Sequence, residues 1–426
     1  MKSKWLYVTS LGLVLLTGLS ACVQPASGDM QRSDKPRVTP SLSQPDLATL
    51  VEGNNAFALD LYQALRGTEG NLFFSPYSIS LALAMTYAGA RESTEKQMAG
   101  TLHYTLPQDR LHAAFNGLDQ ELSGRGQGAK GKDGKGFRLN IVNAIWGQKG
   151  YPFLAQYLDL LAEDYGAGLR TLDFRTAPDD SRLTINKWVS DRTELRIKDL
   201  IPPGAIDTMT RLVLTNAIYF NAAWANNFEK NATQPADFRL ADSSTVKVPM
   251  MHQTEHLGYA MGDGYQAVKL PYDGRELEMM VLLPDQGKFA EFEKSLDTGK
   301  VASIINGITP KQVALSLPRF KFESELDLGN VLANMGMPIA FSDQQADFSG
   351  MTGNRDLSIS RVVHKAFVGV DEAGTEAAAA TAVIMLGTAM PAMPLEVSVD
   401  RPFIFLIRDI QTGSVIFVGR VVNPLK

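Results

Sequence analysis

The chain has 426 residues, of which 45% are hydrophobic and 20% are charged, and its formal net charge at pH 7 is −5. These values describe an ordinary globular protein and allow one large domain or two to three smaller ones. A weakly acidic chain of this length gives no reason to expect nucleic-acid binding. Because Cys22 is the only cysteine, no intrachain disulfide can form, and packing must hold the fold.

The N-terminal residues have the pattern of a secretory signal. Lysines at 2 and 4 precede an apolar run over residues 5–19, which is too short for an ordinary membrane-spanning helix. The sequence Leu-Ser-Ala-Cys at 19–22 resembles the lipobox of bacterial lipoproteins. That resemblance implies a signal peptide at 1–21, lipidation of Cys22 and export to a bacterial membrane, with Val23 indicating the outer membrane or cell surface. A plain signal peptide with a chance cysteine is the alternative.

The next segments predict a tether and two helices. Residues 22–45 are rich in Pro, Ser, Gln and Asp and predict a flexible tether. Apolar residues then recur at helical spacing over 47–65. A second helix is predicted to begin after Ser75, a good N-cap, with Pro76 as its first residue, and to end near Gly89.

Residues 123–136 contain six glycines and four basic residues. They lack the Gly-Lys-Ser/Thr ending of a phosphate-binding loop, and no strand leads directly into them. They therefore predict a mobile surface loop, with weak binding of anionic glycans or lipid head groups left open.

Strand patterns dominate the second half of the chain. The nearly apolar residues 211–220 predict a strand buried on both faces, and residues 277–283 and 313–317 also predict strands. Residues 403–407 and 414–418 predict a hairpin. Helices come first and strands later, which favours an α+β fold over alternating βαβ units.

The sequence contains one enzyme-like pattern. Residues 252–256, His-Gln-Thr-Glu-His, match the H-x-x-E-H pattern of one class of zinc protease. That chemistry needs His252 and His256 on one helical face, whereas residues 246–250 and 257–260 favour strand and turn. The prediction is a structural role, with a zinc hydrolase as a remote alternative. No Gly-x-Ser-x-Gly elbow or dinucleotide fingerprint occurs, so no enzyme activity, cofactor or metal is predicted.

Four short motifs follow one another along the chain. Residues 71–79 read Asn-Leu-Phe-Phe-Ser-Pro-Tyr-Ser-Ile, and residues 216–220 read Asn-Ala-Ile-Tyr-Phe. The sequence His-Lys-Ala at 364–366 precedes an alanine-rich stretch at 371–381, and the apolar residues 397–407 follow it. In this order the motifs resemble those of the serpins, the suicide inhibitors of serine proteases, over about residues 47–424.

The resemblance implies one domain at 46–426, with three β-sheets, eight or nine helices and an exposed reactive loop at about 372–396. It implies a monomeric protease inhibitor rather than an enzyme, whose partner is a protease held in a covalent complex. In the family, the cleaved loop slides into the main sheet, sheet A, with the acylated protease attached. The loop first enters at the "breach", which Trp224 matches. The "shutter" behind sheet A is matched by Ser75, Ser78, Asn216 and His364.

The hinge of the loop can be tested against this mechanism. It consists of Glu372, Gly374, Thr375, Glu376, Ala377, Ala378, Ala379 and Ala380. In an inserted strand, Thr375 and every second residue to Met385 would face the core, and that face carries no charge. Glu376 would face solvent, whereas a charge on the buried face would cost several kcal/mol. This composition favours an inhibitor over a serpin-fold binding or carrier protein that is cut without trapping its protease. Ala373 is a departure, because acidic or polar residues are commoner there in the family.

Family spacing from Glu372 places the reactive bond between Thr388 and Ala389, with Leu386 and Met390 as alternative cleavage sites. No arginine or lysine occurs from 373 to 396, so a trypsin-type pocket is not matched. The small residues suit elastase-like or subtilisin-like proteases, and a papain-like cysteine protease stays open. The segment from Thr375 to Thr388 contains fourteen residues and would be about 46 Å long as a strand.

Overall fold

The computed structural model describes residues 28–40, 43–129, 137–375 and 393–426. Within them there are two 3-10 helices, Lys230–Ala232 and Pro338–Phe341. The α-helices are α1 Gln44–Leu65, α2 Pro76–Tyr87, α3 Glu92–Leu102, α4 Gln108–Ser123, α5 Ala155–Tyr165, α6 Pro178–Arg192, α7 Phe289–Lys294, α8 Thr298–Gly307, α9 Gly329–Met335 and α10 Ser349–Thr352. The strands are β1 Asp29–Gln31, β2 Leu72–Phe74, β3 Arg138–Gln148, β4 Leu169–Leu172, β5 Leu212–Ala223, β6 Gln234–Arg239, β7 Thr245–Gly262, β8 Tyr265–Pro271, β9 Leu277–Pro284, β10 Thr309–Pro318, β11 Phe320–Asp327, β12 Arg361–Asp371, β13 Gly374–Thr375, β14 Leu395–Ser398, β15 Phe403–Asp409 and β16 Val415–Val421.

The first sheet, sheet A, has seven strands in the order β1-β4-β3-β5-β13-β12-β11. Along its centre, β5 and β12 run parallel and pair directly over seven residue pairs, from Val213 with Arg361 to Tyr219 with Phe367. Beyond these pairs, the two-residue strand β13 lies between them and is antiparallel to both. Sheet A is therefore closed along most of its central seam and holds an extra strand at one end.

The second sheet has nine strands, with β14-β10-β7-β8-β9-β15-β16-β2 in order and β6 paired to β7. The sequence leads to an expectation of three sheets, whereas the described residues form two. The 18-residue strand β7 is the reason, because it pairs in turn with β6, β10 and β8 and joins them into one sheet. The described residues contain ten α-helices rather than eight or nine. Three of the ten, α7, α9 and α10, are short and have seven residues or fewer.

Helix α2 and strand β5 follow from their local sequence. The Ser75 hydroxyl accepts a hydrogen bond from the Ser78 backbone N–H at 3.2 Å, and Pro76 is the first helical residue. Every residue of α2 is buried, since the helix contacts β3 and β5 on one side and β16 on the other. Strand β5 is buried on both faces as far as Ala222. Helix α2 therefore lies directly behind the seam of sheet A, in which β5 is one of the two strands.

The hydrophobic core has two parts. The larger fills the space between the two sheets and the helices around α1 and α2. The smaller lies on the opposite face of sheet A, where α6 covers β3 and β5. Trp146, Phe174 and Ile185 are completely buried in this smaller part. Sheet A is thus covered on both faces, as its apolar central strands require.

Residues 28–40 lie against the domain, although the sequence assigned them to a flexible tether at 22–45. Strand β1 pairs with β4 at the edge of sheet A. The Arg37 guanidinium donates hydrogen bonds to the Asn116 side-chain oxygen and to the Asp119 carboxylate, both at 2.8 Å. The prediction of a flexible segment does not hold for these residues, because charge-assisted hydrogen bonds order them without any apolar periodicity. We call residues 28–40 the N-terminal strap.

Two further sequence patterns have a place in the fold. Residues 252–256 lie in strand β7, as their flanks predict, and His252 Nδ1 lies 2.9 Å from the Ser316 hydroxyl. No group of three or more acidic, His or Cys side chains in the described residues could hold a metal ion.

In the glycine-rich segment, Arg125 pairs with Asp409 at 2.7 Å, and residues 130–136 lie outside the described residues. No helix in the described part of the chain has the length and apolar character needed to cross a bilayer.

Candidate functional site

The turn that follows β12 is held by the end of β5. The Trp224 indole N–H donates to the Asp371 carbonyl at 2.9 Å, and the Trp224 backbone N–H donates to the Ala373 carbonyl at 3.0 Å. The Phe228 backbone N–H donates to the Glu372 carbonyl at 2.8 Å. Three consecutive carbonyls of the turn are therefore bound by one neighbouring segment.

The Glu372 side chain is buried at this turn, with only 4% of the residue exposed. Its carboxylate accepts a hydrogen bond from the Thr233 hydroxyl at 2.8 Å and lies 3.6 Å from the Arg319 guanidinium. A buried carboxylate needs such partners to offset the loss of hydration. The short Thr233 bond holds the carboxylate more closely than the half-exposed Arg319 does.

Strand β13 continues from this turn into the seam between β5 and β12. Gly374 has a φ of +144°, and a Cβ atom there would lie 2.2 Å from the Ala222 carbonyl oxygen, so the close approach of the two backbones requires glycine. Thr375 is 1% exposed, and its hydroxyl lies 3.1 Å from the Tyr272 hydroxyl. Burial raises the pKa of Tyr272 far above its ordinary value, so its phenol stays neutral as the partner of Thr375. The Tyr272 ring stacks on Trp224 with centroids 4.7 Å apart.

The first residues of the predicted exposed loop, 372–375, are instead buried. Glu372, Ala373 and Thr375 are each at least 95% buried, and β13 pairs with strands on both sides. The rest of the predicted hinge and reactive bond lies outside the described residues, as does Cys22: this concerns Glu376, Ala377, Ala378, Ala379, Ala380, Leu386, Thr388, Ala389 and Met390.

A polar cluster crosses the seam where β5 and β12 pair directly. The register of sheet A places Asn143 of β3 opposite Asn216 of β5, and Asn216 beside His364 of β12. The Asn216 side-chain amide donates to the Asn143 side-chain oxygen and to the Ser78 hydroxyl. The Ser78 hydroxyl in turn lies 3.2 Å from the Asn143 side-chain oxygen. The cluster thus joins three neighbouring strands to helix α2.

His364 occupies the centre of this cluster in its neutral form. Its Nε2 accepts a hydrogen bond from the Ser75 backbone N–H at 3.2 Å, and its Nδ1–H donates to the Asn216 side-chain oxygen. Complete burial lowers the pKa of His364 to about 3. The Ser75 hydroxyl donates to the Ile416 carbonyl at 2.7 Å, which connects the cluster to the second sheet.

The structure thus brings Ser75, Ser78, Asn216 and His364 together in one cluster. Trp224 lies beside the hinge, about one strand length from this cluster. Sequence reasoning missed four partners: Asn143, Tyr272, Thr233 and Arg319. Asn143 gave a weak signal as a polar residue within an apolar strand. The other three become partners only through side-chain contacts between segments that are far apart in the chain.

The arrangement is a closed seam between two strands, and polar side chains bridge it. Its polar groups bind one another across strands, so separating β5 from β12 must break the bond between Asn216 and His364. Gly374 and Thr375 of the predicted hinge lie at one end of this seam, between the same two strands.

Comparison with known proteins agrees with this geometry. A family model described as "Serpin (serine protease inhibitor)" matches residues 52–424. The chain belongs to the serpin family. A serpin-like protein of Thermococcus kodakarensis is 41% identical over 377 residues, which cover 88% of this serpin and 86% of that protein. The leukocyte elastase inhibitor of Homo sapiens is 39% identical over 387 residues, which cover 88% of this serpin and 99% of that inhibitor.

The solved structures confirm the expected fold. The native state of the thermophilic serpin Tengpin matches with a TM-score of 0.80 at 28% identity, covering 91% of this serpin and 97% of that chain. The α+β serpin fold predicted from the four motifs is therefore confirmed. The family's description as protease inhibitors agrees with a protein that inhibits proteases and is not itself an enzyme.

Proposed function

We propose that this serpin is a suicide substrate that traps serine proteases by inserting its cleaved reactive loop into sheet A. The observation that carries the proposal is the position of β13, between β5 and β12, above seven directly paired residues of the same two strands. The chain continues from β13 into a segment with no lysine or arginine as far as residue 396. Insertion would extend a strand that already exists.

The change in strand pairing favours insertion. The seam now consists of parallel pairs between β5 and β12, whereas β13 is antiparallel to both neighbours. Extending β13 replaces one set of parallel pairs by two sets of antiparallel pairs, which are slightly more stable for each residue. The fourteen residues from Thr375 to Thr388 exceed the 12 residues of β5 and the 11 of β12, so the segment can fill the whole seam.

The residues around the proposed reactive bond indicate the target. Thr388 and Ala389 are small, which suits the narrow pockets of elastase-like or subtilisin-like proteases. The similarity to a leukocyte elastase inhibitor supports the same class of target. A papain-like cysteine protease is the second class to be tested.

The test is incubation of the protein with an elastase, a subtilisin, a trypsin and a papain. We expect a complex that survives SDS with the first two proteases, and mass spectrometry should place the cut after Thr388. The matched control is the same protease with its catalytic serine changed to alanine, which cannot acylate and should give no such complex. Cleavage without any complex would favour the alternative, a carrier that is cut without trapping.

We also propose that the protein is exported and attached to a membrane through lipid on Cys22. The proposal rests on the apolar run at 5–19 and the Leu-Ser-Ala-Cys sequence that follows it. In a bacterial host, the wild-type protein should incorporate labelled palmitate and sediment with the membrane fraction, and Cys22→Ser should do neither. Incorporation of label by Cys22→Ser would contradict the assignment.

A further inference from the structure

The N-terminal strap begins at one end of sheet A. Strand β1 pairs Asp29 with Thr171 of β4, and the register continues through Gly147 of β3 to Leu212, the first residue of β5. Strand β1 is antiparallel to β4, which runs parallel to β3 towards this end. The chain therefore enters the sheet in the row of Leu212 and continues in the direction of the hinge.

The hinge lies at the other end of the same sheet. Gly374 pairs with Ala223, the last residue of β5. Because β5 has 12 residues from Leu212 to Ala223, the two ends are roughly 36 Å apart, at about 3.3 Å for each step along a strand. We call them the strap end and the hinge end of sheet A.

The strap leaves only a short tether to the lipid that we propose on Cys22. Five residues, 23–27, separate Cys22 from Gly28, the first residue of the strap. A chain covers at most about 3.6 Å for each residue, so Gly28 can lie no more than about 22 Å from Cys22. Without the strap contacts, the tether would run to Gln44 at the start of α1 and would reach up to about 80 Å. Docking of the strap therefore shortens the tether severely.

The strap end is also where a fully inserted loop would end. Each residue beyond Thr375 would pair one residue earlier in β5, starting from Ala222. Thirteen residues further on, Thr388 would come opposite Met209, which precedes β5 and is 64% exposed. Under the proposed function, the protease serine oxygen bonds to the Thr388 carbonyl carbon while the bond to the Ala389 nitrogen breaks, and that nitrogen takes the serine's proton. The acylated protease would therefore arrive at the strap end.

A protease does not fit between the strap end and a bilayer that is held so close to it. A protein of about 240 residues has a radius of gyration near 18 Å, which corresponds to a diameter of about 45 Å. The inserted strand lies four strand spacings from β1, about 19 Å to the side, so the protease would overlap a bilayer within about 22 Å of Gly28. Release of the strap from β4 removes this conflict, because the longer tether exceeds the protease diameter.

We propose that the strap end of sheet A faces the bilayer in the lipidated protein, and that the strap must leave β4, and so lengthen the tether, before a protease can be trapped there. The hinge end then points away from the bilayer, towards incoming proteases. The inference rests on the proposed lipidation and trapping, and it adds an orientation and a delay that neither implies. Because insertion must wait for strap release, hydrolysis of the acyl-enzyme has more time to free the protease.

Energy transfer to the bilayer tests the orientation. Because Cys22 is the only cysteine and would carry the lipid, a cysteine introduced elsewhere can be labelled alone. Met209→Cys places a donor at the strap end, and Lys230→Cys places one at the hinge end, where Thr233 of the same segment binds Glu372. The lipidated protein is placed in vesicles of phosphatidylethanolamine and phosphatidylglycerol with acceptor-labelled head groups.

We expect transfer to be roughly threefold more efficient from position 209 than from position 230, because the ends of the sheet are about 36 Å apart. Equal transfer from the two positions would mean that the domain lies on the side of the sheet, and stronger transfer from position 230 would mean that it is inverted. Either result would overturn the orientation.

The trapping step is measured as the ratio of SDS-stable elastase complex to cleaved inhibitor. We expect this ratio to be about fivefold lower for wild-type protein in vesicles than for Cys22→Ser in solution, because hydrogen bonds to charged groups must break first. Insertion of twenty Gly and Ser residues after Val23 lengthens the tether without touching the strap and should restore the ratio. Arg37→Ala should also restore it, whereas the matched control Lys35→Ala, which keeps the Arg37 bonds, should not.

A wild-type ratio in vesicles equal to that in solution would overturn the role of the strap, and so would a deficit that the inserted linker does not restore. Failure of the underlying proposals gives different results. If Cys22→Ser forms no complex in solution, the trapping mechanism and the strap's part in it fail, and energy transfer alone upholds or overturns the orientation. If the wild-type protein carries no lipid, the whole inference is overturned together with the anchor, whereas trapping in solution stands.

Discussion

His364 shows how one buried residue can make the central seam sensitive to pH. Its two ring nitrogens have different partners, a donor in Ser75 and an acceptor in Asn216, so only the neutral ring with its proton on Nδ1 satisfies both. A second proton would face the Ser75 N–H, and it would be fully buried there. The residue therefore holds the seam closed only while it is uncharged.

The sign of the pH dependence follows from the two states of this ring. In the unfolded chain His364 has a pKa near 6.5, and in the native protein the pKa is about 3. Only the unfolded state binds the proton between these values. We expect the contribution of His364 to be fully present above about pH 6.5 and to fall by about 1.4 kcal/mol for each pH unit below it. His364→Gln should reduce the slope of the unfolding free energy against pH by that amount, measured by urea unfolding between pH 7 and pH 4.5.

His112 provides the comparison for this experiment. Burial lowers its pKa to about 4, far from the seam, so His112→Gln should reduce the slope by a similar amount over the same range. The two reductions should add in the double variant because the sites are independent. If His364→Gln left the slope unchanged, the native ring would have to accept a proton freely, and the neutral cluster described above would be incorrect.

Thr375 is the residue at which the native hinge and the proposed inserted strand coincide. Its side chain is already buried against Tyr272, on the face that the strand alternation assigns to the core. Thr375→Arg would place a charge in this site at a cost of several kcal/mol. We expect the variant to be cleaved by elastase at the wild-type rate without forming an SDS-stable complex. Thr375→Val, which keeps the shape and removes only the hydroxyl, should still trap the protease, and trapping by the arginine variant would refute insertion.

At the scale of the structural elements, the N-terminal strap is held to the domain by polar contacts. Strand β1 has only three residues, all of them exposed, so its pairing with β4 contributes little by itself. Arg37 supplies the two shortest side-chain contacts of the strap with helix α4, because its guanidinium bonds both to Asn116 and to Asp119 of that helix. The strap therefore fastens the edge of sheet A to a helix outside the sheet.

We expect Arg37→Ala to release the strap and to lower the free energy of unfolding by about 1–3 kcal/mol, because hydrogen bonds to charged partners are lost in a partly buried place. Lys35→Ala is the matched control. Lys35 lies in the same strap and also forms ion pairs, but its side chain is 48% exposed, so its loss should lower the free energy of unfolding clearly less than the loss of Arg37 does. Urea unfolding gives both values, and amide exchange over residues 28–40 reports release directly. Rapid exchange in the wild-type protein would contradict the anchoring.

The elements differ in how well the sequence predicts them. Helix α2 and strand β5 are correct because their signals are local: a cap at Ser75 and Pro76, and a long apolar run after Arg211. The order of the strap is missed because Arg37 finds its partners about eighty residues away. The same holds for Asn143, whose place in the polar cluster is decided by the register of β3 against β5.

At the scale of the whole molecule, sheet A determines how much stability the proposed inhibitor could still gain. Sheet A holds two residues of the hinge and is closed below them, so the native state has a partly formed strand and a place to extend it. If the rest of the loop remains outside, the chain has not made all the backbone pairs that sheet A can offer. Under the proposed function, cleavage of the loop would remove the covalent restraint on its insertion.

We expect cleavage after Thr388 to raise the melting temperature by roughly 10 °C or more, because the inserted strand adds about ten backbone hydrogen bonds at about 1 kcal/mol each. Differential scanning calorimetry of intact and nicked protein measures the change. The nicked Thr375→Arg variant is the control and should show no comparable rise, since its first buried position carries a charge. An unchanged melting temperature of nicked wild-type protein would mean that no strand has inserted.

The amino-acid sequence alone predicted the family, the capped helix behind sheet A, the buried central strands and a segment after Thr375 with one charged residue, Glu376, and no proline as far as residue 390, because each depends on residue types at short spacing. Tertiary structure alone decided how far the hinge enters sheet A, which residues join the polar cluster around His364, and that the strap is ordered. Those features arise from strand register and from contacts between residues far apart in the chain, and no local pattern encodes them.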